Sequence, residues 1–212
     1  MDRLSKNMDR VPEPTLRRLP WYLSSAKLLR NMGVTHVSST QISRQTGIDS
    51  SQIAKDLSFV NISGRTRVGY DTLKLIAVLE DFLGFTKAHQ AYLFGVGNLG
   101  GALLSDSGLR QFGLEIVGAF DVKASIVGRV VNGIHVYHAD ELESRIAAEG
   151  INIGVLTVPI SIAQQMTDRM ISAGIKALWN FTPMRIRVPA GIVVQNTSIY
   201  AHLAVMFNRL EG

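Results

Sequence analysis

Six residues, Gly95-Val96-Gly97-Asn98-Leu99-Gly100, form a glycine motif directly after a short apolar run that ends at Phe94. The spacing Gly-x-Gly-x-x-Gly is typical of a strand-to-helix turn that binds a dinucleotide. The first glycine allows the tight turn, the second lets the backbone approach a pyrophosphate, and the third lets the helix pack closely on the strand. A helix beginning at Asn98 then offers free N–H groups and its positive dipole end to the phosphates.

An acidic residue, Asp121, ends the next apolar run, 21 residues after Gly100. A carboxylate at the tip of a second strand hydrogen-bonds the ribose 2′-hydroxyl of NAD and repels the 2′-phosphate of NADP. We therefore predict a site for NAD or NADH that includes Val122; Lys123 could attract a phosphate and weaken this preference. The glycine motif alone is weak evidence, because such turns also join strands to helices with nothing bound.

The composition is that of a globular protein of one or two domains: 212 residues, 46% hydrophobic and 18% charged. No apolar run is long enough to cross a bilayer, and the polar start MDRLSKNMDR lacks the core of a secretion signal, so we expect a cytoplasmic protein without a membrane partner. With no cysteine, thiol redox sensing, disulfides and zinc–cysteine sites are excluded, and we expect no metal. A bound cofactor must carry any redox signal.

From Tyr92 onward, short apolar runs alternate with amphipathic stretches, which predicts an α/β fold with a doubly wound parallel sheet. The predicted strands are residues 92–94, 115–120, 134–137, 153–158, 177–181 and 192–195. Ligands bind at the carboxyl ends of such strands. Pocket candidates at these ends are Thr157, Val158, Pro159, Asn180, Phe181, Thr182, Pro183, Gln195 and Asn196. Ordinary turn chemistry is the alternative, since Pro and Asn are common in loops.

The last stretch, residues 198–210, has one apolar stripe at helical spacing, formed by Ile199, Leu203, Phe207 and Leu210. This predicted helix packs either on its own sheet or on a second subunit. The sequence alone leaves both arrangements open.

The basic excess lies entirely before the glycine motif: residues 1–90 carry 13 Lys and Arg against 8 Asp and Glu, and residues 91–212 carry 9 of each. Such asymmetry suggests a polyanion partner, although a merely soluble basic surface is the alternative. This part has a helical pattern without strong strand alternation before Arg65. A first helix follows Pro12 and Pro14, with a kink or break predicted at Pro20.

Two short helices joined by a glycine-containing turn then describe a helix-turn-helix. Ser38 and Gln41 have the form of a capping box, Gly47 ends that helix, and Asp49 or Ser50 caps the next, which would enter the major groove. Gln, Ser and Lys side chains on this helix suit base edges or phosphates. The hairpin that follows carries Arg65 and Arg67, which could lie against the sugar-phosphate backbone or in the minor groove. The predicted DNA contacts are Ser39, Thr40, Gln41, Ser50, Ser51, Gln52, Lys55, Ser58, Arg65, Arg67 and Tyr70. A small helical bundle with a solvated polar face is the alternative.

A catalytic set is not evident from the sequence. None of the five histidines (His36, His89, His135, His138 and His202) is expected beside a carboxylate at a strand end in a way that resembles a hydride-transfer site. Tyr70 and Lys74 form a Tyr-x-x-x-Lys pair, but they precede the glycine motif instead of following it, so we interpret the match as accidental. We predict a DNA-binding regulator and no enzyme; the alternative is an NAD-dependent oxidoreductase with a helical N-terminal extension.

The chain resembles the Rex family of redox-sensing transcriptional repressors over nearly its whole length. The matching segments are VSSTQIS (37–43), IAKDLS (53–58), RVGYD (67–71), GVGNLG (95–100), AFD (119–121), LTVP (156–159), AGIKALWNFTP (173–183) and VVQN (193–196). Several motifs in one order across two domains make this resemblance far more specific than the glycine motif.

The resemblance implies a homodimer whose chain has three parts: a winged helix-turn-helix domain (1–85), a Rossmann domain (86–196) and a C-terminal helix exchanged between subunits (197–212). It implies that double-stranded operator DNA is bound by the free or NAD-bound protein and released on NADH binding, which derepresses genes of anaerobic or NADH-reoxidising metabolism. Residues 95–100 would hold the pyrophosphate, Asp121 the adenosine ribose, and the LTVP and NFTP loops the nicotinamide half. Lys55 would contact DNA from the recognition helix, with Arg65, Arg67 and Tyr70 in or near the wing.

The chain departs from the family in both regions. The recognition helix of the family usually contains Arg-Lys-Asp-Leu, and Ala54 replaces that Arg. The wing usually reads Lys-Arg-Gly-x-Gly-Tyr, whereas residues 65–70 here are Arg-Thr-Arg-Val-Gly-Tyr. Some members link the nicotinamide to the helical domain through an Arg, a Tyr and an Asp, whose aligned positions here are Ser24, Asp106 and Ser198. We hypothesise that NADH still closes the dimer through a different polar relay that includes Asp106.

Overall fold

A computed structural model describes residues 11–210, and the chain divides into two units between Lys87 and Ala88. In the first unit, helices surround a two-stranded antiparallel pair that joins His36 to Asp71 and Val37 to Tyr70. Its elements are α1 (Glu13–Asn31), β1 (His36–Val37), α2 (Ser39–Thr46), α3 (Ser50–Phe59), β2 (Tyr70–Asp71) and α4 (Thr72–Phe82). The strand before Arg65 was not predicted, because two residues show no alternation.

The predicted helix ends are confirmed at both helices of the helix-turn-helix. Ser38 and Gln41 form a reciprocal capping box, in which the Ser38 Oγ accepts from the Gln41 N–H at 3.2 Å and the Gln41 Oε1 accepts from the Ser38 N–H at 2.8 Å. Gly47 ends α2 with φ of 70°, a left-handed conformation that suits glycine. The Asp49 carboxylate caps α3 through the N–H groups of Ser51 and Gln52.

The helix break predicted at Pro20 does not occur, because α1 continues to Asn31. Proline removes one helical hydrogen bond at a cost of about 3 kcal/mol. Leu19, Tyr22 and Leu23 beside it are fully buried, and each such side chain contributes about 1.5–3 kcal/mol. Burial therefore outweighs the lost bond.

The second unit is a layered α/β structure. Its elements are β3 (His89–Phe94), α5 (Asn98–Ser105), α6 (Gly108–Gln111), β4 (Leu114–Asp121), β5 (Val130–Val131), β6 (Ile134–His138), α7 (Leu142–Glu149), β7 (Ile153–Leu156), α8 (Ala163–Ala173), β8 (Ala177–Asn180), β9 (Val193–Asn196) and α9 (Ile199–Leu210). Within the described residues, no helix is long and apolar enough to span a membrane.

The strand order is β5-β6-β4-β3-β7-β8-β9, with all neighbours parallel except β5 and β6. The chain runs outward from β3 to β4 and β6, then crosses to β7 on the other side of β3. This is the doubly wound arrangement that the alternating pattern predicts, and it opens a crevice at the carboxyl ends of β3, β4 and β7. The short hairpin strand β5 was not predicted.

Candidate functional site

The glycine turn follows β3 at this crevice. Gly95 has φ of 98°, and a Cβ there would lie 2.9 Å from the Thr157 carbonyl carbon. A Cβ on Gly100 would lie 2.0 Å from the Gly95 carbonyl oxygen, so only glycine lets α5 pack this closely. A Cβ on Gly97 would have no neighbour within 4 Å. Packing within the described residues therefore does not require glycine at position 97. The missing side chain there leaves the backbone open to a bound pyrophosphate, as the motif predicts.

The N-terminus of α5 is ready to accept an anion. Gly97 is its N-cap, and no side chain caps it in the described part of the chain. Asn98 is exposed, whereas Leu99 is half-buried in the first helical turn. Uncapped N–H groups with the positive end of a helix dipole make a phosphate site.

Asp121 lies at the tip of β4 and is held by three backbone donors. Its Oδ2 accepts from the Val96 N–H at 2.7 Å, and its Oδ1 accepts from the N–H groups of Val122 and Lys123 at 2.8 Å. The Lys123 side chain is exposed. These bonds fix the carboxylate beside the glycine turn, where a ribose would lie.

A small apolar cleft of about 70 Å³ adjoins this carboxylate. Its lining is Phe94, Gly95, Phe120, Asp121, Val122, Ala139, Val158, Pro159, Ile162 and Met166. One carboxylate in an otherwise apolar cleft suits a planar base with its ribose attached. Sequence reasoning missed Phe94, Phe120, Ala139, Ile162 and Met166. The signal available for the first three was their place at or just beyond strand ends, whereas Ile162 and Met166 come from the turn and the helix that follow β7.

The segments after β7 and β8 are tightly built. Thr157 Oγ1 donates to the carbonyl oxygens of Phe94 and Gly95, which locks this segment to the glycine turn. Asn180 is buried, and its Nδ2 donates to the Met184 carbonyl and to Asn196 Oδ1. The Asn180 Oδ1 accepts from both the N–H and the hydroxyl of Thr182. These polar groups shape the loops, and their contact with a nicotinamide stays a prediction.

Two prolines and an aromatic pair lie in or beside the segments that follow β7 and β8. Pro159 and Pro183 are exposed. Trp179 lies against Phe181 with ring centroids 4.5 Å apart, and its Nε1 donates to Thr197 Oγ1 at 2.9 Å. Phe181 was among the pocket candidates from the sequence, whereas Trp179 was not.

One of the five histidines lies at the end of a strand in this sheet. His138 ends β6, with its Nδ1 3.2 Å from Asp140 Oδ2, so a histidine does lie beside a carboxylate at a strand end. The same nitrogen accepts from the Asp140 N–H and caps the following turn. His138 is the register partner of Asp121, which places it at the ribose end of the crevice. Within the described residues, no group of three or more His, Asp or Glu side chains is arranged to hold a metal ion.

In the first unit, α3 presents a small polar surface. Ser51, Lys55 and Ser58 are exposed, and Ala54 lies exposed among them. The Ser51 and Ser58 hydroxyls donate to Asp49 Oδ1 and to the Lys55 carbonyl, so they retain acceptor capacity only. Ser50 and Gln52 are half-buried. At the start of α2, Thr40 is exposed, Ser39 is half-buried and Gln41 is engaged in the capping box.

A buried cluster of polar side chains around one carboxylate, that of Asp56, joins α3 to α1 and was not predicted. Asp56 is fully buried and accepts from Thr15 Oγ1 (2.9 Å), Arg18 Nε (2.7 Å) and Nη2 (2.8 Å), Tyr22 Oη (2.7 Å) and Gln52 Nε2 (2.9 Å). Burial alone would raise the pKa of Asp56, but the hydrogen bonds from Arg18 and the three neutral donors outweigh it and lower the pKa to about 2. The carboxylate therefore stays ionised.

The wing is a tight basic hairpin between α3 and β2. Arg65 and Gly69 exchange backbone hydrogen bonds of 2.8 and 2.9 Å, and Arg67 at the tip is exposed with φ of 64°. Tyr70 is only 9% exposed, and its ring contacts Gly64, which gives it a packing role. A direct contact of Tyr70 with DNA stays a prediction.

The three aligned relay positions occupy different local settings. Ser24 is exposed on α1. Asp106 follows α5, and its Oδ1 accepts from the Gly108 N–H at 2.6 Å. Ser198 caps α9 by accepting from the Ala201 N–H at 3.2 Å. A relay through Asp106 stays a prediction.

Comparison with known proteins decides the family. A family model described as "CoA binding domain" matches residues 86–184, and one described as "Putative DNA-binding protein N-terminus" matches residues 10–58. The redox-sensing transcriptional repressor Rex of Bacteroides fragilis is 69% identical over 206 residues, covering 97% of this chain and 94% of that protein. The chain belongs to the Rex family. The Rex of Porphyromonas gingivalis is 62% identical over 203 residues, covering 96% and 93%.

Solved Rex-family structures have the same fold. RSP in complex with β-NAD+ and operator DNA has a TM-score of 0.90 at 32% identity, covering 94% of this chain and 92% of that chain. RSP in complex with β-NADH has a TM-score of 0.85 and covers 94% of each chain. The predicted resemblance and the predicted fold class, an N-terminal DNA-binding domain followed by a Rossmann-type sheet, are thus confirmed.

Proposed function

We propose that this chain is a transcriptional repressor that binds operator DNA when free or bound to NAD and releases it on binding NADH. The observation that carries this is one chain with two built sites: a glycine turn fixed beside Asp121, and a helix-turn-helix with a basic wing in the unit that holds the whole positive excess. Related structures contain β-NAD+ with operator DNA, and β-NADH.

In the nucleotide site, the backbone of residues 95–100 and the start of α5 hold the pyrophosphate. Asp121 binds the adenosine ribose, and the adenine lies in the apolar cleft. The loops that contain Thr157 to Pro159, and Asn180 with Thr182 and Pro183, surround the nicotinamide. Reduction of NAD to NADH neutralises the nicotinamide ring, so these loops meet a different charge in each state.

In the DNA site, α3 enters the major groove and the wing lies along the backbone or in the minor groove. Lys55, Arg65 and Arg67 supply charge, because all three side chains are exposed. The Ser51 and Ser58 hydroxyls, which already donate within the chain, accept from amino groups at base edges, and Ser39 and Ser50 at the helix starts contact phosphates.

The assembly is a homodimer with α9 exchanged between subunits. No residue of α9 is buried within the described chain, although the helix is apolar, with Tyr200 66%, Phe207 53% and Leu210 77% exposed. Such an apolar surface marks an interface. The protein works as a regulator without turnover, in the cytoplasm where DNA and the NADH pool meet.

The test is a DNA-binding titration with the full chain at fixed salt, using a duplex that the chain selects from a random-sequence pool. Salt must be fixed because phosphate contacts dominate affinity. We expect NADH to weaken DNA binding at least tenfold. NAD+ should leave the affinity for DNA unchanged, and so should coenzyme A, which the description of the matching family model makes the natural control. The absorbance of NADH should stay constant, because a regulator does not oxidise it. Equal affinity with and without saturating NADH would refute the proposal.

A further inference from the structure

We propose that the buried carboxylate of Asp56 orients the Gln52 amide so that Gln52 recognises an adenine in the major groove. This inference rests on the proposed function, since it requires α3 to lie in the groove of operator DNA. Gln52 is then a base-reading residue, and Asp56 is the positioning residue behind it.

The first step is the charge state of Asp56. Its Oδ2 accepts from Arg18 Nε and Tyr22 Oη, and its Oδ1 accepts from Arg18 Nη2, Thr15 Oγ1 and Gln52 Nε2. The guanidinium pairs with both oxygens, so the carboxylate is ionised and has no proton to donate. A carboxylate in this state accepts hydrogen bonds only.

The second step is the orientation of the amide. Because Asp56 only accepts, the amide nitrogen of Gln52 must face it, at 2.9 Å. Turning the amide over would set Oε1 against Oδ1, two acceptors with no proton between them. The sequence spacing also favours the contact, since residues 52 and 56 lie one helical turn apart on α3.

The third step is what remains for DNA. Among residues 11–210, nothing donates to Gln52 Oε1, and Nε2 makes no bond besides the one to Asp56. Exposed Ser51 and Lys55 flank Gln52, and exposed Ala54 offers no polar group to a base. Gln52 is half-buried between these exposed residues and buried Asp56, so it lies at the edge of the exposed face with its Oε1 available to discriminate between bases.

The fourth step is the complementary base. Adenine presents an N6 amino donor and an N7 acceptor in the major groove, which match an amide oxygen and an N–H. Guanine presents two acceptors, O6 and N7, so O6 would meet Oε1 unfavourably. An amide whose oxygen is held outward therefore selects adenine over guanine.

The experiment uses the full chain and the duplex it selects from a random-sequence pool. Each adenine is replaced in turn by 7-deazaadenine, which lacks the N7 acceptor, and by purine, which lacks the N6 amino group. We expect one adenine per half-site at which each replacement weakens wild-type binding about 5–10-fold. Gln52→Met, which has similar length and no hydrogen-bonding group there, should bind the unmodified duplex about tenfold more weakly and lose sensitivity to both analogues at that site. Lys55→Met is the matched control, which should reduce the salt dependence but keep the sensitivity.

Asp56→Asn tests the positioning step. An asparagine can present its own N–H to Oε1, which turns the Gln52 amide over and moves the preference at that base pair from adenine towards guanine. If this variant fails to fold because Arg18 is left buried beside it, Gln52→Met still decides the question. A wild-type chain that selects no duplex refutes the proposed function together with this inference. A chain that selects a duplex, while Gln52→Met keeps the wild-type response to both analogues, refutes this inference alone.

Discussion

The wing tip contains an arginine in a conformation that favours glycine. Arg67 has φ of 64° and is exposed, so no packing within its unit accounts for the side chain there. The left-handed conformation costs about 1–2 kcal/mol for a residue with a Cβ. The usual Rex wing, Lys-Arg-Gly-x-Gly-Tyr, has glycine at this position. We infer that the chain retains Arg67 for its charge, which makes Arg67→Gly an informative variant.

The variant should stabilise the first unit. Relief of the left-handed strain contributes about 1–2 kcal/mol, and the greater freedom of glycine in the unfolded chain offsets about 0.4–1 kcal/mol of it. The free energy of unfolding should therefore rise by up to about 1.5 kcal/mol. Hydrogen exchange at the buried amides of Leu75 and Leu79 in α4 measures this quantity for the first unit within the full chain.

The same variant should weaken DNA binding. Each phosphate contact contributes about 0.9 to the slope of log affinity against log salt. Removing one guanidinium per wing should flatten the slope by about 0.9 per wing, which corresponds to about fivefold weaker binding per wing at about 0.15 M salt. Fluorescence anisotropy with the selected duplex across a salt series measures both quantities.

Two variants separate backbone from charge. Arg67→Asn tolerates the left-handed conformation but carries no charge, so it should bind DNA like Arg67→Gly. Arg67→Lys keeps the charge and should keep the wild-type slope. A glycine variant that binds DNA with the wild-type slope, or that is less stable than the wild type, would refute the reasoning.

Three further predictions concern other contacts. Gly97→Ala should fold normally but no longer bind NADH, as measured by fluorescence titration. Gly100→Ala should lose NADH binding and also lower the melting temperature, because its Cβ would lie 2.0 Å from a carbonyl oxygen. Equal melting temperatures for the two variants would contradict this. Asp121→Ser should raise the ratio of NADPH to NADH affinity about tenfold or more, since it removes repulsion of the 2′-phosphate; an unchanged ratio would count against the ribose contact. The pKa of Asp56 is about 2, below its ordinary value of 3.8. The ionised carboxylate therefore stabilises the folded chain by about 2 kcal/mol above about pH 4. This contribution is lost as the pH falls towards 2. Urea unfolding across this range should be less pH-dependent in Asp56→Asn than in the wild type, and parallel curves would exclude the effect.

Local signals in the sequence predicted local structure well. The capping box at Ser38, the helix end at Gly47 and the cap at Asp49 depend on residues within a few positions of one another, so their pattern is complete in the sequence. The same holds for the glycine turn, whose spacing is set by one strand end and one helix start. The alternating apolar runs likewise predicted the doubly wound sheet, since each strand must bury both of its faces.

Contacts between distant segments were not predictable. Asp56 is bound by Thr15, Arg18 and Tyr22 from a helix about forty positions earlier, and a charged residue in a short amphipathic helix is ordinarily assigned to solvent. The unbroken helix through Pro20 has the same origin, because tertiary burial decided it. Sequence located the ends of β7 and β8 but could not show that Thr157 and Asn180 bond to their own loops.

The bonds that fix the loops after β7 and β8 bear on which part of the cofactor the protein distinguishes. The adenosine and pyrophosphate parts are identical in NAD and NADH, so the contacts that we propose with Asp121 and the glycine turn would stabilise both complexes equally. A contact that is equal in two states shifts no equilibrium between them, however strong it is. If the nicotinamide binds where we propose, the difference in DNA affinity must arise there, beside loops whose polar groups are already fixed by Thr157 and Asn180. We propose that loops fixed in this way respond to the charge and shape of the ring by moving as units, so that a small chemical change at the cofactor alters the position of larger elements.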